Sequence, residues 1–316
     1  MSLVATLLVL TDAAHFNGGT ISWQPVDPTD KVSPISIMIT QSYTWAYPNV
    51  YCNNSMITNH IPIPARIPNT FLNVSAIYTK TGGYSAVPVT PYCTSFSSSL
   101  GVLSSQQSDI VNLTVNASFS ITFQNSYWAT LTNPSGTNTA TWSIATMINL
   151  FVRPDGRINT SPVSQMLSPQ HIQQNVLTTI VIPTFDSDND VVRCRWANKS
   201  LNGDECANVC PPTVLPAGTI LSSNCTLYIK GTTSPALYVA AVMATVVYTT
   251  MLYVHNFCGN TVTILDIGLQ APAGIIHGPL TSVYGSNTSL YSMNLTWTPT
   301  NQQTGTQLLC AVALDR

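Results

Sequence analysis

Short apolar runs with a two-residue rhythm, closed off by Pro, Gly, Asn and Asp, recur along the whole chain, and no amphipathic helix of ordinary length interrupts them. The stretch Asp109-Ile-Val-Asn-Leu-Thr-Val-Asn-Ala-Ser-Phe119 shows the rhythm best. Ile110, Asn112, Thr114 and Asn116 fall on one face of an extended strand, and Val111, Leu113 and Val115 on the other. The same reasoning predicts strands over Thr20–Trp23, Ser36–Thr40, Ser42–Tyr47, Phe71–Tyr78, Ile110–Phe123 and Trp142–Phe151. Further strands are predicted over Val176–Ile182, Asn224–Ile229, Ala236–Thr249, Thr261–Ile267 and Met293–Thr298. Turns are predicted at Asn17–Gly19 and Arg153–Gly156.

At 316 residues the chain has room for two or three domains. The expected fold is all-β: tandem immunoglobulin-like β-sandwich modules over residues 15–155, 156–250 and 251–316, after an extension of residues 1–14. The second module holds four cysteines, and the third is short and incomplete. Leu237-Tyr-Val-Ala-Ala-Val242 and Leu309-Cys-Ala-Val-Ala-Leu314 both read as late core strands, and an immunoglobulin-like domain would place a further edge strand after such a run.

The first dozen residues stand apart. Leu3, Val4, Ala5, Leu7, Leu8, Val9 and Leu10 are apolar on both sides of an extended strand, as in a strand buried on both faces. Two readings stay open for them: an ordered strand donated to another copy, or the remnant of a secretory signal. No Lys or Arg precedes the run and Asp12 lies near the cut that Ala13-Ala14 would offer, both against a signal. Eight apolar residues cannot span a bilayer, which takes about 20. Ala236–Val247 is also too short for a membrane span.

Charged residues make up 7% of the chain, against about 25% in ordinary soluble domains. No basic patch exists, which argues against a nucleic-acid partner. Solubility must then come from Ser, Thr and Asn, from attached sugars, or from burial in an assembly. Asn-x-Ser/Thr sites occur at Asn53, Asn73, Asn112, Asn116, Asn159, Asn198, Asn224, Asn287 and Asn294, candidates for N-linked glycans. Eight cysteines, an even number, point to the same oxidising, extracellular setting. The preferred pairing is Cys52–Cys93, Cys194–Cys225, Cys206–Cys210 and Cys258–Cys310, although spacing alone leaves every other pairing open.

Little else suggests chemistry. Cys194, Cys206, Cys210 and Cys225 do not have the spacing of paired zinc knuckles, and disulfides are the better reading. Asp186, Asp188 and Asp190 put hard oxygen ligands at alternate positions in a turn, as a Ca²⁺ loop does. The loop lacks the Gly and distal Glu of an EF-hand, so the competing reading is a solvated acidic turn paired with Arg193 or Arg195. The five histidines are scattered and no nucleophile, phosphate-loop or zinc-protease motif is present, so no enzyme activity and no obligatory cofactor are expected. The six Trp are expected in cores rather than on a sugar-stacking face.

Three stretches carry a resemblance. His15-Phe-Asn-Gly-Gly-Thr-Ile-Ser-Trp23, Asp186-Ser-Asp-Asn-Asp-Val-Val-Arg-Cys-Arg-Trp-Ala197 and Thr296-Trp-Thr-Pro-Thr300 with Cys310-Ala-Val-Ala313 resemble a group of large, mostly uncharacterised secreted proteins of aquatic invertebrates. The resemblance implies secretion and β-sandwich modules but no activity. It also fits a protomer of a sugar-coated extracellular filament. The expected function is therefore a structural subunit that polymerises head to tail with other copies of itself, its N-terminal strand inserting near Leu308–Leu314 of a neighbour. The alternative is a secreted adhesion or carbohydrate- or protein-binding ectodomain.

Overall fold

The computed structural model describes residues 15–63, 70–75, 77–126, 128, 131–132, 141–153, 155–166, 168–256, 263–271, 275–284, 287–297 and 309–315. The expected donor segment, residues 1–14, lies outside them. In the first half run β1 (Phe16–Pro25), β2 (Ile35–Ala46), α1 (Asn54–Thr58), β3 (Phe71–Val74), β4 (Val87–Pro88), β5 (Tyr92–Ser97), β6 (Val102–Leu113), β7 (Ser118–Ser126) and β8 (Thr141–Asn149). Next come β9 (Val163–Ser164), β10 (Leu177–Val181), β11 (Thr184–Phe185), β12 (Val191–Trp196), β13 (Ile220–Ser222) and β14 (Thr226–Lys230). The last are β15 (Val242–His255), β16 (Ile264–Gln270), β17 (Ile275–His277), β18 (Thr281–Tyr284), β19 (Asn287–Trp297) and β20 (Cys310–Asp315). The fold is thus nearly all β, in several antiparallel sheets.

Two four-stranded sheets, β1-β2-β6-β5 and β4-β3-β7-β8, share the largest core. Strand β2 shows why. Ile35, Ile37, Ile39, Gln41, Tyr43 and Trp45 alternate inward and all are buried. Two strands were expected here, broken around Gln41; one continuous strand forms. Gln41 keeps its core position because its amide is satisfied: Tyr43 Oη donates to Oε1 (2.9 Å) and Nε2 donates to the Pro88 carbonyl (3.3 Å). From the other sheet, Phe119, Ile121, Phe123 and Trp142 meet these residues, and Phe16 stacks on Trp142 at 4.1 Å. Trp23 Nε1 donates across to the Met147 carbonyl (2.6 Å).

Asn17–Gly19, expected as a turn, lies within β1. A register shift between Phe16 and Gly18 absorbs the extra residue there. Gly19 is required: a Cβ would stand 2.4 Å from the Tyr43 ring and 2.5 Å from the Ser42 carbonyl. The run Ile110–Phe123 divides into the end of β6 and the start of β7, so Asn116 sits in the turn between them, at φ 64°, rather than on a strand beside Asn112. Phe71–Tyr78 keeps strand form only to Val74. At Arg153–Gly156 the turn forms as expected, with Gly156 N donating to the Arg153 carbonyl (2.9 Å).

The second half holds a sheet β10-β14-β13, a small pair β9-β11, and a sheet β12-β15-β19-β17 with β18 also pairing with β19. Trp196 packs with Leu227 and Ile229 in a second core. Strand β15 runs through position 250, taking β12 as partner up to Val247 and β19 from Tyr248 onward. Its start differs from expectation. Leu237–Ala241 are not in a strand; instead Leu237 N donates to the Thr132 hydroxyl Oγ1 (3.2 Å) and the Leu237 carbonyl accepts from Thr132 N (2.7 Å). The likeness of Leu237–Val242 to Leu309–Leu314 therefore does not extend to structure. A third core, with Ile267, Met293 and Leu295 buried, lies between β19 and the two-stranded ribbon β16-β20.

Disulfides join Cys52 to Cys93, Cys194 to Cys225 and Cys206 to Cys210. The remaining expected pair, Cys258–Cys310, falls outside the described side chains. No helix among the described residues is long and apolar enough to cross a membrane.

Candidate functional site

Strand β20 is exposed at each of its four described side chains, Ala311 to Leu314. In its register with β16, Ala313 faces Ile267 and Ala311 faces Leu269, so these alanines share the inward face of the ribbon. Ile267 is buried at 3% exposure, yet Ala311 and Ala313 are exposed. On the outward face Val312 and Leu314 are 63% and 53% exposed. Among the described residues β20 pairs with β16 alone, and β16 with β20 alone. A strand edge that has no partner can take one more strand.

The three expected acidic ligands do come together. Asp186 Oδ1 accepts from Asp188 N (2.9 Å) and Asp190 N (3.3 Å), folding the loop between β11 and β12 around its own first carboxylate. Asp186, Asp188 and Asp190 each offer an oxygen within 4.8 Å of the others. The expected partners, Arg193 and Arg195, are elsewhere: Arg193 donates to the Val192 carbonyl, and Arg195 is claimed by Glu205. The cation at the loop is Arg153, from the turn after β8. It grips Asp190 with both terminal nitrogens (2.7 and 3.1 Å), reaches within 3.7 Å of Asp188, and donates to Asn159 Oδ1 (2.8 Å). Thr160 N donates to Asp188 Oδ2 (2.6 Å). Nor is the turn solvated: Asp186 is 5% exposed and its Oδ2 has no hydrogen-bond partner. Burial pushes the Asp186 carboxyl above its ordinary range, and the charges of Asp190 and Asp188 act in the same direction against the two amide bonds.

Among the described residues one other trio of metal-ligating side chains converges, Asp204, Cys206 and Cys210. Its sulfurs are bonded to each other, and Asp204 Oδ1 is occupied by the amides of Cys206 and Ala207. A four-thiolate zinc site is closed off by the same two disulfides.

Of the sequons, Asn73, Asn112, Asn198, Asn224 and Asn294 are exposed, as is Asn116 in its turn. Asn53 and Asn159 are half-buried and make side-chain bonds of their own: Asn53 caps α1 through Met56 N, and Asn159 accepts from Arg153. The Asn287 side chain lies outside the described ones. Trp23, Trp45 and Trp142 are buried, as expected for core residues.

Sequence reasoning missed Arg153, Asn159 and Thr160 as partners of the acidic loop. The Pro-Asp-Gly turn around Arg153 was legible, but nothing in its spacing announces an acidic loop 33 residues further on. It also missed Glu205, whose side chain is fully buried and takes a bidentate bond from Arg195 (2.7 and 2.8 Å), one from Asn198 N (2.9 Å) and one from Asn202. The resemblance motifs hold structural positions: Phe16–Trp23 lies in β1, with His15 just before it stacked on Trp45, and Cys310–Ala313 begins β20. Compared with known proteins, the chain matches no family model, no curated protein and no solved structure.

Proposed function

We propose that the chain is a structural subunit of an extracellular, glycosylated filament, polymerising head to tail when Leu3–Leu10 of one copy pairs with β20 of the next. The observation that carries this reading is the edge of β20 that pairs with no described strand, beside the exposed Ala311 and Ala313. Small side chains there leave room for large ones from an added strand. Backbone bonds would supply the pairing, and alternate Leu and Val side chains would fill the space above Ile267 and Leu269. Three Leu and Val residues on the inward face at about 1.5–3 kcal/mol each give about 4.5–9 kcal/mol gross, before ordering costs. Such a contact uses different surfaces on the two partners and propagates unless its rotation happens to close.

In this reading the layered sheets are tandem immunoglobulin-like sandwiches, the last completed by its neighbour. Three disulfides, the exposed sequons and 7% charged residues are in keeping with an oxidised, sugar-coated protein outside the cell. So is the resemblance to secreted invertebrate proteins.

Charge on the acceptor tests the idea. Ala311→Asp with Ala313→Asp places two carboxylates where the added strand would lie, at positions that are exposed in the single copy. The variant is expected to remain a folded monomer by light scattering under conditions in which the parent polymerises. Unchanged polymer would contradict the assignment of β20 as acceptor.

A further inference from the structure

The loop Asp186–Asp190 carries more negative charge than its surroundings answer. Three carboxylates converge on oxygens within 4.8 Å of one another, and among the described residues a single guanidinium, that of Arg153, faces them. Three charges of −1 against one of +1 leave −2, in a place where the Asp188 and Asp190 side chains are 8% and 17% exposed. The available donors are already spent. Both oxygens of Asp190 go to Arg153, Asp188 Oδ2 to Thr160 N, and Asp186 Oδ1 to two amides.

Of the oxygens left over, Asp188 Oδ1 and Asp186 Oδ2, the second is buried without a hydrogen-bond partner, on a residue only 5% exposed. Buried carboxylate oxygens are normally satisfied, so this one calls for a counterpart. A guanidinium cannot supply it, because the fork of Arg153 is fixed on Asp190 and Asn159. A divalent cation would, and it would cancel the residual −2. The donors are hard oxygens throughout, without nitrogen or sulfur, which selects Ca²⁺ over zinc or copper.

We propose that Asp186, through Oδ2, together with Asp188 and Asp190 forms a Ca²⁺ site, with Arg153 beside it as a fixed positive wall. The site joins two parts of the molecule. Residues 155–161 lie along the first core, where Ile158 is fully buried and Ser161 N donates to the Trp23 carbonyl (3.2 Å), whereas the acidic loop leads into β12. Bound Ca²⁺ would therefore clasp the segment after β8 to the sheet built on β12. The repulsion of Arg153 would hold affinity in the weak range of extracellular modules, a Kd of about 10⁻⁴–10⁻³ M.

Calorimetric titration of the full chain, stripped with EGTA, is the test. About one Ca²⁺ per chain should bind, and 10 mM CaCl₂ should raise Tm by about 3 °C, with MgCl₂ giving less. Asp186→Asn and Asp188→Asn should each lose the heat and the Tm shift while keeping the parent's near-ultraviolet circular dichroism. Asp155→Asn, an exposed acid next to Arg153, should bind as the parent does. No heat and no Tm shift in the parent up to 10 mM would overturn the site. So would unchanged binding in whichever of the two ligand variants folds.

Discussion

Glu205 has no exposed side-chain surface, and its charge survives there because Arg195, Asn198 and Asn202 all donate to it. Arg195→Met should therefore cost about 3–5 kcal/mol, since it leaves a buried carboxylate without its cation. Glu205→Gln with Arg195→Met should recover part of that loss, and urea denaturation of the three variants measures both numbers. Tyr84 gives a pH signature. Burial, helped by the charge of Asp109, pushes its phenol up to about 12 from an ordinary 10.0, although Val87 N donates to its oxygen. Tyr78 is also pushed to about 12, by burial and then by the charge of Glu205. Both raised values mean that the unfolded chain gives up these protons first. Stability from this source is complete below pH 10 and falls as pH rises from about 10 towards 12. Tyr84→Phe should flatten that fall and, by deleting its bond to the Leu72 carbonyl (3.1 Å), cost about 1 kcal/mol at neutral pH. Thermal unfolding against pH, with tyrosinate absorbance, reads both effects.

Strands make the next set of claims, and they show where sequence patterns mislead. Alternation found β2 but misread Gln41 as a break, because a pattern of apolar and polar letters cannot see Tyr43 and Pro88 satisfying that amide. Asn17-Gly18-Gly19 carries turn letters, yet Gly19 serves close packing of β1 on β2, and Gly18 sits at φ 132°. Gly19→Ala should force the Ser42 backbone away and destabilise the chain by about 1–3 kcal/mol in denaturant. The covalent links can be ranked by the chain they close. Loss of Cys52–Cys93, with a separation of 41 residues, should cost about 4 kcal/mol in the chain-entropy treatment. Loss of Cys206–Cys210, with a separation of 4, should cost about 2 kcal/mol. Paired Cys→Ser variants under identical denaturation conditions test the order. The acidic loop was legible as three alternating aspartates, whereas its cation was not. Arg153 reaches it beside residues 155–161, which pack on the first core, a contact that only folding creates.

At the scale of the whole chain, a two-letter pattern was enough to read an all-β fold, because strands buried on one face leave that signature at every turn. The assembly is not carried by any pattern inside one copy. As proposed, it would bring together an apolar segment, Leu3–Leu10, and a ribbon whose β20 has a partner on one edge alone among the described residues. If they meet between copies, removing the segment removes the contact and leaves each fold intact. Electron microscopy of full-length protein beside a variant lacking residues 1–12, both at the same concentration and ionic strength, is the most direct measurement. The account predicts filaments from the first and single particles of one chain from the second, and filaments of equal length from both would contradict it.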